Sequence, residues 1–394
     1  MNATTLSATP TYARGRLQLG IAGVGTAVVL ALLAIGAGLP DLLFASAGGS
    51  FATDLVALLT WTGGLALVTA PAEVLGGHLI PRAFSRAHPS GQAWALRWLR
   101  GIGVIAPLMA ASGAAVLAAG RAGGEAAALG AFGVLLVALL LLQARLAGWV
   151  GGLTRRRVTL ESVDRELSQL GVEPLPLLVL EGEDEGFTGG LAGLVGGERS
   201  VLPASWIQRF QPRALALLLA RRSRIASSGL RAAGVTLALV WTLGIFTLAS
   251  ALPGGGLTSV ADLITTSLWF SVLSFVGLLI LPMASRAGTR RADADLVAGL
   301  SREDRALFEQ SLGALDRLQD DEPERSARVE SVFHPTPALG SRLRALGTPP
   351  GALAPWHVAR VAIYLSIAGM NPLHRLVHCN VGRPELWVFL PADG

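Results

Sequence analysis

His374 and His378 stand four residues apart in Asn371-Pro372-Leu373-His374-Arg375-Leu376-Val377-His378, and Cys379 follows directly. On an α-helix that spacing puts two imidazoles on one face, where they can hold a metal such as zinc with the thiolate as a further ligand. Asn371 suits an N-cap, Pro372 a first turn and Gly382 a stop, so a two-turn helix is expected. Metal-dependent hydrolysis would also need a carboxylate base beside the first histidine, and Arg375 stands there instead. The plainer reading is a short capped helix with packed, hydrogen-bonded histidines. A second cluster is basic: Arg221, Arg222 and Arg224 follow Leu217-Leu218-Leu219-Ala220. A guanidinium has no lone pair for a metal and stays charged at any working pH. Asp293 and Asp295 are the carboxylates expected to pair with these arginines. The third feature is Gly186-Phe187-Thr188-Gly189-Gly190. It lacks the lysine and the spacing of a phosphate loop. An exposed strand edge there would pair with a peptide, and a simple hairpin turn is the alternative.

These groups must be positioned by a chain that is mostly membrane. It has 394 residues, of which 52% are hydrophobic and only 15% charged, against about 25% charged in soluble domains. A span needs about 20 apolar residues. Six stretches qualify: 17–39, 51–75, 102–120, 126–150, 230–252 and 261–283. The first is too long, and lacks the cleavage site, for a removed signal peptide. Arginines gather before the first, between the second and third, after the fourth, before the fifth and after the sixth, while the intervening loops hold almost none. All six spans therefore agree on one topology with both termini cytoplasmic. The formal charge of +5 comes from those flanking arginines, so no nucleic-acid partner is expected, and the single cysteine excludes an internal disulfide.

The chain divides into a four-span region 1–150 with a cytoplasmic loop 76–101, a cytoplasmic α+β segment 151–229, a hairpin of spans 230–283, and a cytoplasmic segment 284–394. Within 151–229 the pattern predicts a helix over 160–170, a strand over 175–180, a partner strand over 200–203 and a helix over 212–225. Within 284–394 it predicts helices over 292–318 and 339–346 and a strand over 384–391. The stretch 358–370 is apolar but too short to span, so an interfacial or buried helix is expected.

Three segments, in order, resemble the membrane zinc peptidases of the M48 type, the Ste24 and HtpX group. They are 217–225, then Ser285-Arg286-Ala287-Gly288-Thr289-Arg290-Arg291-Ala292-Asp293, then Val332-Phe333-His334-Pro335-Thr336-Pro337 with Arg342 and Leu343 after it. Pro71-Ala72-Glu73-Val74-Leu75-Gly76-Gly77-His78 is similar to the segment after an early span in Ste24-like members. The resemblance covers about residues 15–347. It implies an α-helical polytopic membrane protein with about six spans and a small α+β cytoplasmic domain of M48 architecture. It also places the H-E-x-x-H ligands and base on Arg221, Arg222 and Ile225, and the third-ligand glutamate on Thr289 or Arg291. Asp293 takes the place of a supporting acid, and His334 lies near the substrate cleft.

The metal chemistry is therefore missing from the frame. Two unit charges 4 Å apart at an effective dielectric near 20 interact by about 4 kcal/mol, so an arginine facing a dication opposes it by roughly twice that. No cofactor and no peptidase chemistry are expected at these positions. The reading is a catalytically inactive pseudopeptidase of the bacterial cytoplasmic membrane, binding a protein partner or serving as an accessory subunit. Phe187, Thr188, Trp356 and Trp387 are its candidate partner contacts. A membrane-bound hydrolase with a relocated site at His374, His378 and Cys379 is the alternative.

Overall fold

The computed structural model describes residues 11–47, 49–347 and 354–390. Helix α1 (Tyr12–Gly36) starts at Thr11, whose hydroxyl accepts from the Arg14 amide. Helix α2 (Phe51–Val74) starts at a reciprocal Ser50–Thr53 cap and carries Pro71 near its end. The chain then widens into a single loose turn at Leu75–Leu79. Helix α3 (Gly91–Gly151) is interrupted at Gly123 and Gly124, which leave helical geometry. A Cβ on Gly120 would lie 3.4 Å from that of Ala128. In a straight helix those residues are about 12 Å apart, so the chain folds back at the glycine pair. Two apolar segments result, at the places where separate runs 102–120 and 126–150 are expected.

A compact layer follows. It contains β1 (Thr154–Arg156), helix α4 (Glu161–Gln169), β2 (Leu177–Glu181), β3 (Gly190–Ala192), β4 (Arg199–Pro203) and helix α5 (Pro212–Ser227). The sheet order is β1-β2-β4-β3; β2 and β4 are parallel, and β3 pairs antiparallel with β4. Gly186 to Gly190 therefore does not form a simple hairpin turn: parallel strands need a crossover, and this loop lies within it. Helix α6 (Leu230–Ala251) and helix α7 (Val260–Val297) return to the apolar bundle. At about 57 Å, α7 is nearly twice the hydrocarbon thickness. Its first half packs in the bundle, and its end, at Leu296 and Val297, packs with Leu215–Ala220 of α5.

Helices α8 (Arg302–Gln319), α9 (Ala327–Phe333) and α10 (Leu339–Ala345) complete the polar layer. The single helix expected over 292–318 is two. Gly299 and Leu300 separate them, and Ser301 caps α8 by accepting from the Asp304 amide. Five helical segments are long and apolar enough to cross a membrane among the described residues, with the 61-residue α3 counted once.

The segment after residue 354 is the main departure. Helix α11 (Val358–Leu365) and the irregular chain beyond it are buried almost throughout. They share one core with the bundle helices, through Tyr364, Leu365, Met370 and Trp387. A Cβ on Gly77 would collide with the Gly382 carbonyl, and one on Gly234 with the Trp356 carbonyl. Glycine at these two positions lets the tail lie directly on helix backbone. The strand expected at 384–391 is instead a short tight turn at Pro384–Leu386, stopped by Trp387, whose indole donates to the Asn380 carbonyl at 3.2 Å. Pro391 itself, the last four residues and the first ten lie outside the described residues.

Candidate functional site: a buried arginine–aspartate clamp

Helix α5 carries Arg221 and Arg222 on a stretch, Ala214–Ser223, that is buried at every position. Such burial is costly for charge unless partners are supplied. The extension of α7 past the apolar run supplies one. Asp293 Oδ1 accepts from Arg221 Nε at 2.6 Å, and both side chains are 1% exposed. Arg342 of α10 completes the clamp, with Nε 2.7 Å from Oδ2 and Nη2 3.1 Å from Oδ1. Burial alone would raise the Asp293 pKa; the Arg221 and Arg342 guanidiniums override it and hold the carboxyl below its ordinary range.

Arg222 points the other way. Its Nη2 donates to the Thr188 carbonyl at 2.6 Å, and its Nη1 to the Val201 carbonyl at 2.7 Å and Ser200 Oγ at 3.2 Å. The guanidinium also lies 5.2 Å from the Trp206 ring centroid. It ties α5 to β4 and to the glycine-rich loop. Ile225 is fully buried. Thr289 is buried too and donates back to the Ser285 carbonyl at 3.3 Å. Arg291 turns to Asp295, 2.8 Å away. Of the positions to which the resemblance assigns ligands and base, only Arg221 meets the Asp293 carboxylate, while Arg222 and Arg291 turn to other partners. Zinc takes imidazole nitrogen, thiolate or carboxylate; this donor set does not fit it.

The remaining candidates lie elsewhere. His374 and His378 do not share a helix face. The helical turn there is tight and ends at Arg375, with His374 Nδ1 2.8 Å from the Asn371 carbonyl. The His378 ring instead meets His334, centroid to centroid 4.8 Å. Burial pushes His378 down to about 4 and His334 well below its ordinary value, so both are neutral at pH 7. Burial pushes the Cys379 thiol up. Among the described residues no three His, Cys, Asp or Glu side chains come together as a metal set. Phe187, Thr188, Trp356 and Trp387 are all buried. Phe187 meets Phe389 of the tail at 6.2 Å, and Trp356 packs with Leu191, Ile225 and Ala292. A partner surface made of these four would require the tail to leave.

Sequence reasoning missed the roles of three residues, Arg342, Glu73 and Arg375. Arg342 follows the Pro-Thr-Pro segment with no local sign of its partner, 49 residues away. Glu73 and Arg375 form a second buried cluster at 2.9 Å, with Thr69 Oγ1 2.8 Å and Trp98 Nε1 2.6 Å from the same carboxylate. A lone glutamate closing an apolar run was the available signal.

These features describe a helical membrane protein whose fold is like that of a solved membrane protein. A helical bundle is interrupted by a small sheet-and-helix layer, and that layer faces the extension of a later span. Among solved structures, the chain matches the crystal structure of S. mikatae Ste24p with a TM-score of 0.68. The match has 16% identity and covers 85% of this chain and 86% of that one. No family model matches the sequence, and no curated protein matches it.

Proposed function

We propose that this chain is a pseudopeptidase: an M48-fold membrane protein that has exchanged metal chemistry for structure and acts by binding, as a scaffold or accessory subunit. In this reading α3 counts as two spans, making six. Both termini face the cytoplasm of a bacterial cell, and the sheet layer lies on that side.

The observation that carries it is the Asp293 clamp. Arg221 and Arg342 occupy both oxygens of the carboxylate within 3.1 Å. A guanidinium offers donors only. Metal-assisted hydrolysis needs a free base and ligands for the metal; here both carboxylate oxygens are engaged by guanidiniums, which are not metal ligands.

The test is metal analysis of the full-length protein, purified in mild detergent without chelator, beside the His374→Ala/His378→Ala double variant and a peptide-hydrolysis assay. Far less than one equivalent of zinc, cobalt or manganese in both proteins, with no hydrolysis above an empty-detergent control, is the expected outcome. One equivalent in the wild type that disappears in the double variant would sink this reading and leave a hydrolase with a relocated histidine site.

A further inference from the structure

Past the break at Gly123 and Gly124, Arg145 is the only charged residue of α3 between Glu125 and Gly151. It stands on a defined face. Val134, Val137, Leu141, Arg145 and Trp149 follow one another at steps of three or four, a single stripe on a helix, and all five are exposed. Val134 is 69% and Leu141 58% exposed, whereas Phe132, Leu136 and Leu140 on the other face are buried. On a membrane span, an exposed apolar stripe is the face turned to lipid. From Glu125 to Arg145 the helix rises about 30 Å, the thickness of the hydrocarbon core. The two charges bracket the apolar part, with Arg145 at one headgroup border. Trp149, 55% exposed, stands one turn further along the same stripe, as indoles do at membrane–water boundaries.

Arg145 has no ion pair or hydrogen bond among the described residues. More cations gather at this end of α3. Arg100, also exposed, donates to the Gly151 carbonyl at 2.7 Å. Arg155, Arg156 and Arg157 follow in and just beyond β1, all exposed. The carboxylates nearby are engaged elsewhere: Glu181 lies 3.8 Å from Arg156, and Glu385, packed on Gly151, lies 3.3 Å from Arg97. A charge on the lipid face is costly at depth, and a long side chain relieves the cost by reaching outward to the headgroups. The anion it meets there is a phospholipid phosphate.

We propose that Arg145 and Trp149 form a binding site for one anionic phospholipid, its phosphate on the Arg145 guanidinium and an acyl chain along the stripe from Leu141 to Val134. A guanidinium matches a phosphate in two parallel hydrogen bonds. The arginines beside it favour a headgroup that carries no ammonium of its own. Because α3 runs directly into β1, the site lies in the leaflet next to the sheet layer. It is independent of whether the Asp293 clamp is catalytically silent.

Native mass spectrometry of the full-length protein, titrated in detergent with phosphatidylglycerol or phosphatidylcholine, tests this. Arg145 is exposed, so Arg145→Gln leaves the packed core untouched, and an unchanged Tm checks that. Arg302→Gln, the same exchange at an exposed position of α8, is the control. The first phosphatidylglycerol should bind more tightly than phosphatidylcholine. Arg145→Gln should weaken it about fivefold, while Arg302→Gln leaves it unchanged. Arg145→Lys, which keeps the charge and loses the paired bonds, should lose less than Arg145→Gln. Phosphatidylglycerol binding equally well to wild type and Arg145→Gln, or weakened as much in Arg302→Gln, would overturn the site. Phosphatidylcholine binding as tightly as phosphatidylglycerol would overturn the anionic headgroup. Displacement of the lipid by inorganic phosphate would overturn the membrane as the source of the ligand.

Discussion

Two buried carboxylates organise this molecule, and they are partnered differently. Asp293, in the polar layer, is clamped by two guanidiniums, one from α5 and one from α10. Glu73, at the end of α2, meets one guanidinium from the tail, a threonine hydroxyl and an indole N–H. The first joins three helices, with Arg221 at a position where the resemblance puts a metal ligand. The second fastens the tail into the bundle, where Arg375 also lies 5.6 Å from the Trp387 ring centroid. The contrast teaches what each site tolerates. A carboxylate between two arginines cannot be removed without leaving both without it. One surrounded by mixed donors can lose its charge and keep much of its hydrogen bonding.

The largest effect should therefore come from Asp293→Ala. Taking one partner from a buried ion pair costs about 3–5 kcal/mol, and here two arginines lose the same carboxylate. Thermal unfolding in detergent should show a collapse in Tm or no folded protein at all. Replacing all three members by leucine or methionine should restore much of the loss, because apolar substitutes for buried ion pairs are often neutral or better. If Asp293→Ala unfolds like wild type, the clamp is not holding the polar layer together.

Glu73→Gln should cost less, about 2–3 kcal/mol, in line with hydrogen bonds to a charged group. The glutamine oxygen can still accept from Trp98 and Thr69. The loss should appear as faster protease cleavage after residue 354, with the polar layer's own unfolding little changed. Equal sensitivity of both regions would mean that the tail and the polar layer are one cooperative unit.

The same division marks what the sequence reveals. Spans are legible because a run of about twenty apolar residues rarely belongs to anything but a membrane helix. The break in α3 is legible at Gly123-Gly124. The break between α7 and α8 is also written, as Ser301 with Asp304 three residues on, a capping pattern that a long helical period obscures. The Arg221–Asp293 pair follows from the order of segments. Arg342 and Arg375 do not, since their partners lie 49 and about 300 residues away and nothing local encodes long-range contact. The tail misleads for a related reason. Leu386-Trp387-Val388-Phe389 has strand composition, but strand propensity measures fit to a half-buried pleated surface. Here all four residues are buried against helices, with the Val388 carbonyl taken by Gln143 at 3.2 Å.

Asp316 of α8 sharpens the contrast at its weak end, because burial dominates there. Burial raises its pKa to about 6; Arg325 opposes the rise, while Asp320 and Asp321 add to it. Its unfolded value is near 3.9. Between about pH 4 and 6 Asp316 therefore holds more proton in the folded protein than in the unfolded chain, and its own contribution to stability falls as pH rises through that window, opposite in sign to that of the buried His334 and His378. Asp316→Asn removes the titration. The variant should match wild type near pH 4 and exceed it above pH 6.5, by about 1–2 kcal/mol after allowing for solvent at the rim of the site. The check is Tm against pH for both proteins, and the gap should open between pH 4.5 and 6.5 and then stay level. Parallel curves would mean that Asp316 titrates alike in the folded and unfolded chains. A gap that closes with rising pH would reverse the sign and point to a clamp like that on Asp293.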